Sequence, residues 1–369
     1  MHPIRPAGRS ASSSASSSCA TPEGASGSPV PLTPAVLRAW LRARGLPAFR
    51  AVQILRWAFQ RGVASFDEMS DLGRDLRLDL AAAFALPALR PSEVVRSADG
   101  TRKLLFRLEA GRAVETVLIP DEPRLTACIS SQAGCAMGCT FCATAQLGLQ
   151  RNLSAAEIAA QLVASQRQLD PGERLTNVVF MGMGEPLHNY DAVVEAIEIL
   201  TAPWGFGLSA RRVTVSTVGL LPQLERLVRE TGASIAVSLT ATTDTLRDRL
   251  MPVNRRYPLA QLFATCRALP IAQRRRITFE YVLLAGVNDA PADTTRLIRL
   301  LHGIRSKVNL IPFNPFPGAA FTPPRAAVVE QFKQRLLAAG LNASVRATRG
   351  RDIQAACGQL AATRQGARA

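Results

Sequence analysis

From about residue 125 onward, short β-rich runs alternate with helix-length amphipathic stretches, and no other feature limits the fold so tightly. The runs Leu125–Ser130, Asn177–Met181, Arg212–Thr217, Ser234–Leu239, Arg276–Leu283 and Lys307–Pro312 read as strands. Helical stretches lie between them, among them Ala155–Leu169, Asp191–Leu200, Leu221–Glu230 and Pro291–Leu301. Strands joined through helices run parallel. Six such units predict an α/β fold curled into a partial (β/α)6 barrel. Chemistry in barrels collects in the loops that follow the strands. The unusual polar residues fall there: a cysteine cluster, Gly184-Glu185-Pro186, Ser216, Ser238-Leu239-Thr240, Glu280 and Asn314.

Upstream the pattern differs. Residues 1–30 are rich in Ser, Ala, Pro and Gly, which predicts a disordered tail; a targeting peptide would share that composition. Residues 31–92 read as a small helical accessory domain, with Thr33 as N-cap and Pro34 as the first helical residue. Its apolar faces carry Leu37, Trp40 and Leu41, then Val52, Leu55, Trp57 and Phe59. Residues 93–122 suggest a β-hairpin or linker turning at Gly111. The barrel takes 123–348, and 349–369 forms a C-terminal segment. No run of about 18 apolar residues is present, so no membrane span is expected.

Seven cysteines give an odd, clustered set, unlike a secreted disulfide framework. Cys135, Cys139 and Cys142 stand at C-x3-C-x2-C, a spacing from which three thiolates can reach three corners of a cubane cluster. Gly134, Ala136 and Gly138 let the backbone wrap closely. A fourth iron would lack a local ligand and could bind a substrate. Structural zinc, the competing reading, needs a fourth ligand, and only Cys128 is near.

The formal net charge is +16, and only three of the 44 basic residues are Lys. An anionic partner is expected, RNA above all, because the guanidinium fork grips phosphates and stacks on bases. Candidate contacts are Arg211-Arg212, Arg255-Arg256, Arg274-Arg275-Arg276, Arg346, Arg349 and Arg351.

The triplet, with Phe141 before its last cysteine, resembles the radical S-adenosylmethionine (SAM) superfamily. Longer strings resemble the RlmN/Cfr family of RNA adenine methyltransferases, on the RlmN side of it. They include Ser131-Gln132-Ala133-Gly134-Cys135, Gly182-Met183-Gly184-Glu185-Pro186-Leu187 and Arg212-Val213-Thr214-Val215-Ser216-Thr217. Asn309-Leu310-Ile311-Pro312-Phe313-Asn314-Pro315 and Arg349-Gly350-Arg351-Asp352-Ile353 extend the likeness, which covers about residues 90–361.

The resemblance implies one [4Fe-4S] cluster on the triplet and two SAM per turnover, one as methyl donor and one as radical source. It implies a SAM site of Gly184, Glu185, Ser216, Ser238, Leu239, Thr240 and Asn314. It makes Cys357 the carrier that becomes S-methylated and is then tethered to adenine C2. Cys128 becomes the resolving thiol, freeing methyladenine through a transient disulfide with Cys357. Glu115 becomes the proton acceptor. The implied substrates are adenosine 2503 of 23S rRNA and adenosine 37 of some tRNAs, met in the cytoplasm by a monomer with an electron donor such as flavodoxin. Two residues depart from the family pattern: Ala145 where Gly is common, and Thr240 where His is common. The sister C8 chemistry uses the same cysteines and stays open on the residues alone. A non-catalytic iron–sulfur or zinc RNA-binding protein would explain charge and triplet, but not Cys128 with Cys357.

Overall fold

The computed structural model describes residues 29–362; the N-terminal tail with Cys19, and the last seven residues, lie outside that range. The accessory domain runs β1 (Val30–Pro31), α1 (Pro34–Ala43), α2 (Phe49–Leu55), α3 (Arg74–Ala83) and β2 (Phe84–Ala85). Thr33 caps α1, its hydroxyl accepting the Val36 N–H at 3.5 Å. Helix α2 passes directly into a π turn over Arg56–Arg61. Ala51, Ile54, Leu55, Ala58 and Phe59 form its buried stripe. Val52, expected on that stripe, sits one residue off it and is 39% exposed. Strands β1 and β2 pair in parallel and close the domain.

Strands β3 (Pro91–Arg96), β4 (Arg102–Arg107) and β5 (Ala113–Asp121) follow, β4 pairing antiparallel with both β3 and β5. The turn near Gly111 falls where expected. The stretch 93–122 is nevertheless no linker. Strand β5 pairs antiparallel with β6 (Arg124–Cys128), so the hairpin continues the barrel sheet.

Beyond β6 come the short ribbon strand β7 (Gln132–Gly134), α4 (Ala143–Gln146), β8 (Leu149–Asn152) and α5 (Ala155–Gln166). The βα units then run β9 (Asn177–Phe180), α6 (Tyr190–Thr201), β10 (Val213–Thr217), α7 (Leu221–Glu230) and β11 (Ser234–Ser238). They continue through α8 (Asp244–Leu250), α9 (Leu259–Ala268), β12 (Ile277–Leu283), α10 (Pro291–Leu301), β13 (Ser306–Pro312), α11 (Ala326–Ala338) and β14 (Asn342–Val345). The ten-stranded sheet has the order β14-β13-β12-β11-β10-β9-β6-β5-β4-β3. The six expected strands are present, and β14 adds a seventh parallel one at the edge. Its sequence Asn-Ala-Ser-Val, half exposed, carries too little apolar signal to read in advance.

Strand β10 illustrates how the sheet builds a lumen. Val213 and Val215 are buried on its helix side, while Thr214 and Ser216 border the interior cavities. Helix α5 is buried along almost its whole length, because the accessory domain covers its outer face. Arg167 on that side donates to Gly62 O at 2.6 Å, and Arg38 pairs with Glu198 at 2.6 Å. The half-exposed ion pair contributes at most about 1 kcal/mol, so apolar contact dominates the docking. No helix among the described residues is long and apolar enough to cross a membrane.

Candidate active site

The cysteine triplet lies in the excursion between β6 and α5, framed by the antiparallel ribbon β7–β8. Gly134 allows this geometry: its φ is +72°, and a Cβ there would meet Gly148 O at 1.8 Å. The Cys135 N–H donates to that same carbonyl at 2.9 Å. An apolar nest that includes Met137, Phe141, Leu250, Met251 and Phe313 surrounds the triplet. Burial pushes the Cys135 thiol up to about 12. It raises Cys139 well above the ordinary value, with further upward pressure from Cys142 and Cys135. All three cysteines border one cavity, and the buried Cys135 and Cys139 thiols need a metal to draw off their protons.

Among the described residues no group of His, Cys, Asp or Glu is gathered closely enough to hold a single ion. A cubane sets its thiolates on separate irons, hence farther apart than the ligands of one zinc. The donor set and its apolar nest fit a cluster.

A cavity of about 130 Å³ opens beside the triplet, bordered by all three cysteines, Gly184, Glu185, Ser216, Ser238, Asn314 and Cys357. Gly184 has φ +99°, and a Cβ there would meet the Gln132 side chain at 2.6 Å. Its geometry brings the next residue's carboxylate under the cavity. Glu185 accepts the N–H of Leu187 at 3.1 Å and of Val218 at 2.9 Å. Burial nevertheless pushes its carboxyl up to about 7, against hydrogen bonds from Thr217, Val218 and Leu187 that lower it. An ammonium group bound there would favour the charged form. The folded value lies above the ordinary 4.5, so this group's stabilisation is complete below about pH 4.5 and is lost as pH rises through about 7. Urea unfolding of the ligand-free protein at pH 5 and pH 8 should show a loss of up to about 3 kcal/mol that Glu185→Gln removes. Identical slopes in the two proteins would refute the assignment.

Two residues expected in the SAM site do not border the cavity. Leu239 is fully buried in the main core. Thr240 is fully buried, has φ +55°, and its carbonyl accepts from Asn288 Nδ2 at 2.6 Å. The departure at 240 thus faces a backbone corner, whereas Ala145 does border the cavity.

The second cavity is far larger, about 1330 Å³, and runs the length of the barrel. Cys128, Glu280, Asn314 and Cys357 border it toward the C-terminal ends of the strands. Arg124, Arg211, Arg274, Arg275, Arg276 and Arg305 border it at the opposite end, where the strands begin. Arg346 and Arg349, which follow the C-terminal end of β14, also border it; Arg212, Arg255, Arg256 and Arg351 do not. Cys357 and Asn314 border both cavities, and Asn314 Nδ2 donates to Cys357 O at 3.1 Å. Both Cys128 and Cys357 are free thiols.

Glu115 is no surface carboxylate. It is buried on β5, lies 3.0 Å from Lys103 Nζ, and accepts the N–H groups of Ala361 and Ala362 at 3.0 and 2.9 Å. It borders neither cavity. The C-terminal segment is also held by Thr144 Oγ1 on Leu360 O at 2.6 Å and by Asp352 on Ser97 at 2.6 Å. Sequence reasoning missed Arg247, buried beneath the cofactor cavity, and gave Arg346 only an RNA-contact role. Neither stands in a pattern that separates it from the many other arginines.

Comparison with known proteins decides the family. Residues 30–86 match the ribosomal RNA large subunit methyltransferase N-terminal domain, and residues 129–298 match the radical SAM superfamily. The dual-specificity RNA methyltransferase RlmN of Syntrophobacter fumaroxidans is 52% identical over 326 residues, covering 88% of this chain and 95% of the relative. The chain belongs to the RlmN family. The protein of the same name from Geobacter sulfurreducens is 51% identical, covering 88% of this chain and 89% of the relative. A radical SAM methyltransferase from Sphaerobacter thermophilus superposes with a TM-score of 0.85 at 48% identity, over 91% of this chain and all of the other. As an RlmN-family radical SAM protein, the chain uses a [4Fe-4S] cluster and SAM.

Proposed function

We propose that this chain methylates C2 of adenosine in 23S rRNA and in tRNA, with Cys357 as methyl carrier and Cys128 as resolving thiol. One observation carries the reading: the two free thiols border a common lumen, and Cys357 also borders the cofactor cavity. A single sulfur can thereby face both the methyl source and the base.

Bound cluster and SAM supply the methyl group and a carbon radical. The chain's own residues do the rest. Cys135, Cys139 and Cys142 hold the cluster, and Gly184, Glu185, Ser216, Ser238 and Asn314 hold SAM. The arginine rim at the strand N-termini binds phosphates, and an unstacked base enters the lumen from there. Cys357 carries the carbon to C2. Glu115 takes the C2 proton, which requires the backbone at 361–362 to lift off its carboxylate. Cys128 then attacks the Cys357 sulfur and releases the product. The reaction belongs in the cytoplasm, where both RNAs are found, with an electron donor such as flavodoxin.

Anaerobically reconstituted protein with SAM, a reductant and rRNA or tRNA should yield 2-methyladenosine in nucleoside mass spectrometry, together with deoxyadenosine. Methylation at C8 would correct the carbon. Colourless, zinc-loaded protein that releases no deoxyadenosine would remove the reading altogether.

A further inference from the structure

The fully buried arginines Arg102 and Arg247 spend most of their donors on the frame. Arg102 donates to Gln168 O and to both oxygens of Glu173, each at 2.7 Å. Arg247 donates to three backbone carbonyls and to Asn254 Oδ1. Arg346 differs. It directly follows β14, with only 25% of its side chain exposed, yet its guanidinium approaches just Met181 Sδ at 3.4 Å and Glu280 Oε1 at 3.7 Å. Glu280 Oε2 accepts from Ser216 at 2.9 Å, while its Oε1 has no hydrogen-bond partner. A guanidinium that served only to brace the frame would close these distances, whereas Arg346, a quarter exposed, leaves donors free toward the lumen.

Arg346 instead shares the lumen wall with Cys128, Cys357 and Glu280. Burial pushes Cys128 up to about 12, and Arg346 is the largest influence against it; Cys357 and Glu280 push further up, and the Met181 N–H lowers.

We propose that Arg346 is a positioning residue for the thiol exchange, holding the Cys128 sulfur as a thiolate while it attacks Cys357. This rests on the carrier-and-resolver reading above. In the step, Cys128 loses its proton to solvent and forms the S–S bond. The bond from Cys357 sulfur to the methylene on C2 breaks, leaving its electron pair on carbon, which takes a proton from solvent to become the methyl group. The sulfurs together lose two electrons and the carbon gains two. An anion in so buried a place needs a permanent neighbouring cation, and arginine stays charged there.

The test uses full-length reconstituted protein and its RNA substrate, following the covalent protein–RNA adduct on denaturing gels across pH, with Cys128→Ala as reference. Arg346→Gln should form the adduct but resolve it at least about tenfold more slowly at neutral pH, with the rate profile displaced to higher pH. Arg346→Lys should restore most of the rate. Alkylation of Cys128 by iodoacetamide without RNA, read by mass spectrometry, should show the same displacement and the same rescue. Resolution at the unaltered rate, a slower rate with an unmoved pH profile, or no adduct where Cys128→Ala traps one, would each overturn the proposal. If Cys128→Ala itself traps no adduct, the carrier-and-resolver reading fails first.

Discussion

Replacing Cys357 by alanine should reduce methyl transfer by on the order of 10⁴-fold or more, since a covalent carrier has no substitute. The fold should not suffer. Cys357 is only partly buried, and its segment is held through backbone and neighbours: Asn314 on its carbonyl, Ala143 N–H on Gly358 O at 2.8 Å, and Gln359 Nε2 on Pro315 O at 2.6 Å. Thermal melts should therefore match the parent while nucleoside mass spectrometry finds no methyladenosine. Cys128→Ala should behave differently. The carrier still reaches the base, but the second sulfur is gone, and protein–RNA adduct should accumulate to a large fraction of the enzyme. Multiple turnovers by Cys128→Ala at the parent rate would end the resolving role, and methylation by Cys357→Ala would end the carrier role.

Arg247→Met should cost about 3–5 kcal/mol, the largest stability loss expected from a single side chain here. Arg247 lies on α8 and is fully buried. It donates to Val218 O at 2.8 Å, Ser238 O at 3.1 Å, Leu239 O at 3.2 Å and Asn254 Oδ1 at 3.1 Å. The three backbone carbonyls lie at the end of β11 and in the loops that follow β10 and β11. Burial draws the guanidinium down to about 10, which leaves it charged at neutral pH. Methionine fills much of the same space but takes a donor from four acceptors in a dry interior, of which Leu239 O keeps the Ala241 N–H at 2.7 Å. A melt of the ligand-free protein should fall by roughly 5–10 °C. SAM affinity should weaken in parallel, because Val218 and Ser238 border the cofactor cavity. A shift below about one degree would show that water or a rearranged loop replaces the guanidinium.

The barrel was legible because its signals are local. Runs such as Ile277–Leu283 and Ser306–Pro312 are long, apolar and flanked by amphipathic helices, and they pair in register over seven residues. Strand β14 and the joining of β3–β5 to the barrel edge were not legible. The first is too short and polar, and the second depends on which sheet edge a hairpin meets. The helical face of α2 was read one residue out at Val52, which lies beside the buried stripe of Ala51, Ile54 and Leu55.

The candidate site divides the same way. Cysteine spacing, glycines at the cluster loop and the family strings are properties of adjacent residues, so the triplet, Gly184-Glu185 and the paired thiols could be named before any fold was known. The position of Glu115 under Ala361 and Ala362, the withdrawal of Leu239 and Thr240 from the cavity, and the unspent donors of Arg346 could not. Each joins residues far apart in the chain, and the balance of burial, charge and hydrogen bonding at such contacts exists only after packing has chosen the neighbours. Sequence by itself determined which chemical groups this protein owns and how its barrel alternates. Only tertiary structure decided which of those groups stand free to act, because freedom in a packed interior depends on the partners that the fold assigns.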